Sequence, residues 1–68
     1  MGEKIYAIVD RTIEYTRELL ETSQIDWAVA RAGLDRIHDS LACESPGHPA
    51  LDRLRDFIVE QDRIYRPL

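Results

Sequence analysis

The chain has 68 residues, with 9 Lys and Arg against 13 Asp and Glu for a formal net charge of −4, and it is 44% apolar and 32% charged. This composition excludes a disordered or membrane-embedded chain, and the acidic balance argues against non-specific nucleic-acid binding, which needs clustered positive charge. A chain this short buries only about 60% of its unfolded surface, so a deep enzymatic pocket is not expected, whereas self-association is.

The single cysteine, Cys43, permits no intrachain disulfide, which removes the usual staple of small secreted domains. No basic-then-apolar leader pattern opens the sequence. The longest apolar runs, such as Trp27 to Ala30, are far shorter than the about 20 residues of a membrane span. A soluble, cytoplasmic protein is the expectation. All the basic residues except Lys4 are Arg, a bias that accompanies GC-rich genomes and points to a bacterial or phage source.

The first predicted element covers about 3–21. Ile5, Ile8, Val9, Ile13, Leu19 and Leu20 recur at helical spacing, with Thr12 and Thr16 filling the same stripe. Glu3, Asp10, Glu14, Arg17 and Glu21 take the other face. A break follows at Thr22-Ser23, where Ser23 and Asp26 resemble a capping box with Asp in place of Glu. The second helix is predicted over 24–44, with Trp27, Ala30, Leu34, Ile37 and Leu41 in the alternating three-and-four spacing of bundle seams. Gly33 lies inside it and, with Ala30, offers a place for a neighbouring helix to come close. Ser45-Pro46-Gly47-His48-Pro49 is the clearest turn, and Pro49 suits the first position of a new helix. The third helix is predicted over 49–66. Its seam is Leu51, Leu54, Ile58, Gln61 and Tyr65, widened by Phe57 and Ile64, and Pro67 stops it.

Similar helix lengths and short connections predict an all-α, up-down-up three-helix antiparallel bundle forming a single domain over 1–68. The stripes are wide for so small a monomer, because adjacent apolar pairs recur at Ile8/Val9, Leu19/Leu20, Phe57/Ile58 and Ile64/Tyr65. A homodimer is therefore expected, since pairing offsets the small-domain deficit.

Three constellations bear on chemistry. Asp35 and His38, three apart on one helix, echo the carboxylate–histidine element of metal-binding bundles, and His38, Cys43 and His48 form an evenly spaced series. Neither supplies the four close ligands of a zinc site, so no metal or other cofactor is expected. Cys43 has no activating neighbour in sequence and sits near a helix C-terminus, which disfavours a thiolate, so it reads as inert, partly buried filler. Residues 28–36, with Gly33 as the turn, have the outline of a helix-turn-helix. However, Val29 and Asp39 stand where that pattern wants a small and an apolar residue.

Charge is the remaining signal. Asp52, Asp56 and Glu60 recur every four residues on the third helix. Local pairs (Glu14–Arg17, Arg17–Glu21, Arg31–Asp35, Asp62–Arg66) are expected to offset such repulsion. The leading functional expectation is a non-enzymatic regulatory or inhibitory protein that binds another protein through Trp27, Phe57 and Tyr65, flanked by Asp52, Asp56 and Glu60. A metal-binding homo-oligomer using Asp35 and His38 and a helix-turn-helix DNA-binding regulator are the alternatives.

Overall fold

The computed structural model describes residues 2–65, with side chains from Lys4 onward. It contains α1 (Gly2–Glu21), α2 (Trp27–Glu44) and α3 (Pro49–Tyr65). Arg66 and Pro67, placed at the end of the third helix by its sequence pattern, lie outside the described residues. No helix among the described residues is long and apolar enough to cross a membrane.

The topology is the expected up-down-up bundle. Tyr6 meets His48 and Asp10 meets Arg53, so the starts of α1 and α3 lie together and these helices run parallel. Trp27, at the start of α2, meets Asp62 and Tyr65 at the end of α3, so α2 runs antiparallel to both. The third helix is the centre of the packing. It touches α1 and α2 extensively, while α1 and α2 touch each other least. The core accordingly gathers Leu51, Leu54, Phe57 and Ile58 of α3 with Val9 of α1 and Leu34 and Leu41 of α2.

Each connection has a local cause. Backbone N–H groups of Ser23 and Gln24 donate to the carbonyls of Leu20 (3.2 Å) and Leu19 (2.9 Å). With Ser23 at φ 55°, this is a Schellman closure of α1, with serine where glycine is usual. The predicted capping box is thereby corrected. Ser23 ends α1 rather than starting α2, and α2 begins three residues later than expected. Its N-cap is Asp26, an extended residue whose side chain makes no capping bond. At the second turn His48 N–H donates to the Ser45 carbonyl at 3.2 Å, and Gly47 has φ 77°. Proline followed by a positive-φ glycine is the pattern of a type II turn. His48 then caps α3, its Nδ1 accepting the Ala50 N–H at 3.0 Å while Pro49 fills the first helical position.

Gly33 lies within an unbroken α2, so the helix-turn-helix read around it has no structural counterpart. A Cβ built on Gly33 would meet nothing within 4 Å, so no neighbouring helix of the chain uses the space it leaves.

Candidate functional site

Helix α1 carries two apolar seams, offset by one residue. Val9, Ile13, Thr16 and Leu20 follow a four-three-four spacing and turn inward. Ile8, Thr12, Tyr15 and Leu19 follow the same spacing one position earlier, and Thr12, Tyr15 and Leu19 of this second seam face α2 across an open gap. Ile8 is 45% and Tyr15 65% exposed. Opposite them on α2, Val29 is 61% exposed.

Thr12, Tyr15 and Leu19 of this seam, with Val29, wall an open groove of about 340 Å³ between α1 and α2, lined also by Ile25, Gly33 and Ile37. No charged side chain lines it. Thr12, on its wall, donates its hydroxyl to the Ile8 carbonyl at 2.7 Å, so that polar group is already satisfied within its own helix. A concave, largely apolar surface of this kind is suited to burying apolar side chains.

The structure separates the residues assigned to partner binding from sequence. Phe57 is a correction: at 4% exposure it belongs to the core, with the Arg17 guanidinium over its ring at 5.6 Å. Helix α3 turns Phe57 and Ile58 inward together because it packs against two helices and needs a broad apolar face. Trp27 is partly buried and donates its Nε1–H to Asp62 at 2.7 Å, while its ring stacks on Tyr65 with centroids 6.1 Å apart. Both aromatics thus close the α2–α3 end of the bundle, although Tyr65 keeps an exposed face. Asp52, Asp56 and Glu60 are exposed as expected. They alternate with exposed Arg53, Arg55 and Arg63, so the outer face of α3 is mixed in charge rather than anionic.

The ion pairs also differ from the local ones expected. Arg31 reaches Asp62 at 2.6 Å, and Asp35 only at 3.9 Å. Among the described residues Arg17 forms no ion pair and lies over Phe57 instead. Arg53 bridges α3 to Asp10 of α1 at 2.8 Å. The hydrogen bond to that carboxylate, and then its charge, hold the Arg53 guanidinium above its ordinary pKa. The pair proposed for Asp62 and Arg66 falls outside the described residues.

His38 lies 3.9 Å from Asp39, and Asp35 is shared with Arg31. Among the described residues no three His, Cys, Asp or Glu side chains converge on a position that would hold a metal ion. Cys43 is exposed rather than partly buried. It is on the outer side of the last turn of α2, off the seam ending at Leu41.

Tyr15, Ile25 and Val29 do not stand out in the sequence, yet they border an apolar concavity between α1 and α2. The signal for Tyr15 was the repeat of the four-three-four spacing one residue out of step. Merging both seams into one wide stripe concealed it. Val29 lies off the α2 seam and carried no periodic signal of its own.

The sequence matches no protein-family model, and no curated protein or solved structure is significantly similar to it.

Proposed function

We propose that this protein is a non-enzymatic binding module that regulates or inhibits another protein by docking an apolar helix in the α1–α2 groove. The observation that carries this reading is the second seam of α1. Ile8, Thr12, Tyr15 and Leu19 repeat the spacing of a packed helical interface, Ile8 and Tyr15 stay exposed, and Thr12, Tyr15 and Leu19 line an open groove against α2. A groove between two helices accepts a third amphipathic helix through residues at that spacing. Tyrosine is among the side chains that most often dominate interface energy, and Tyr15 stands at the groove rim. The net charge of −4 favours the approach of a basic partner, although the groove itself is uncharged. A cytoplasmic bacterial or phage setting is consistent with the arginine-rich, single-cysteine composition.

The experiment is a paired capture from cell lysate using the wild-type chain and Val29→Arg. Val29 is largely exposed in the fold, so its replacement charges the groove without disturbing the core. A protein retained by the wild type and lost with Val29→Arg supports the reading. Identical retention by both chains contradicts it.

A further inference from the structure

We infer that the groove is also a self-association surface, in which α1 of each copy lies in the α1–α2 groove of the other, the two α1 helices running antiparallel about a two-fold axis. This inference rests on reading the groove as a docking surface, and it names a second copy of the chain as the occupant.

Area is the first argument. The chain exposes 5276 Å², whereas a compact monomer of 7.9 kDa exposes about 4,400 Å². The excess is of the same order as the about 800 Å² that each partner covers in a standard interface.

Charge is the second. Written as a heptad, the outer seam places Ile8 and Tyr15 at d and Thr12 and Leu19 at a. Arg11 and Glu18 then both fall at g, on the edge of the seam, and both are exposed. Arg11 borders Tyr15 directly. In an antiparallel pair, a faces d and g faces g. The register that sets Thr12 against Tyr15, and Ile8 against Leu19, also brings Arg11 of each copy to Glu18 of the other. One residue pair thus satisfies the self-complementarity that a two-fold interface requires. Parallel pairing would bring Arg11 opposite the e position, which is Thr16, and would leave both charges without that partner.

Gly33 is the third. A glycine in a helix interior is less favourable than Ala, and nothing within the chain uses the space it leaves. On the groove wall it lets a second backbone approach closely.

The test is sedimentation equilibrium of the full chain at low salt, with circular dichroism to verify folding. The wild type is expected at twice 7.9 kDa. Arg11→Glu and Glu18→Arg are each expected to weaken the dimer by about tenfold, and the double variant R11E/E18R is expected to restore it. Tyr15→Glu should yield a folded monomer. A dimer that survives Tyr15→Glu, or charge reversals that show no rescue, overturns this arrangement. Nile red binding separates this inference from the reading beneath it. A wild-type monomer whose dye binding is abolished by Val29→Arg overturns the second copy but leaves the groove as a docking surface for a different helix. A monomer that binds no dye overturns both.

Discussion

His48 and Asp62 show how single side chains complete this fold. The imidazole of His48 performs at the N-cap what Asp, Asn or Ser usually does, accepting the Ala50 N–H. His48→Ala is expected to lose about 1 kcal/mol in urea denaturation, and His48→Asp to retain stability, because aspartate supplies the same acceptor. Asp62 accepts from both Trp27 and Arg31, residues 35 and 31 positions away in the chain. Asp62→Ala is expected to cost about 1 kcal/mol, discounted for its partial exposure, and to change the fluorescence of the single tryptophan. Asp35→Ala, which removes only a long, exposed contact, should change neither. These contacts mark the limit of local reading. Helical spacing predicts partners three or four residues away, and Asp62 was therefore assigned to Arg66. Its partners belong to another helix, and only the assembled bundle brings them together.

Periodicity identifies the helices as elements, because the spacing of Trp27, Ala30, Leu34, Ile37 and Leu41 has no strand counterpart. The boundary between α1 and α2 was less legible. Ser23 is a favourable N-cap residue by type, but here it occupies the left-handed position that closes α1. Ser23→Gly is expected to raise the urea midpoint modestly, since glycine adopts this conformation without the Cβ clash. Gly33 and Gly47 give opposite predictions. Gly47 holds a positive φ, so Gly47→Ala should destabilise by about 1 kcal/mol. Gly33 is helical with open space around it, so Gly33→Ala should stabilise the isolated protomer by about 1 kcal/mol while weakening self-association. If both changes shift stability in the same direction, the structural distinction between these glycines is wrong.

At the scale of the whole molecule, α3 supplies most of the core and α1 is shared between two surfaces. Leu54 is fully buried at the centre, and Leu54→Ala is expected to cost about 3 kcal/mol, a large fraction of the stability of so small a domain. The surplus apolar width legible in the sequence has two distinct origins. At Phe57 and Ile58 it serves a helix that packs against two others, and both residues are buried. At Ile8 and Tyr15 it forms a separate, outward seam. Adjacent apolar residues look alike in sequence in both cases, and only the position of each helix in the bundle tells them apart.

The most direct measurement of this account is the thermal unfolding midpoint of the wild type and of Tyr15→Ala over a hundredfold range of protein concentration. Association through the outer seam of α1 predicts a wild-type midpoint that rises with concentration and a Tyr15→Ala midpoint that stays constant. A wild-type midpoint independent of concentration, or an equal rise in both chains, contradicts it.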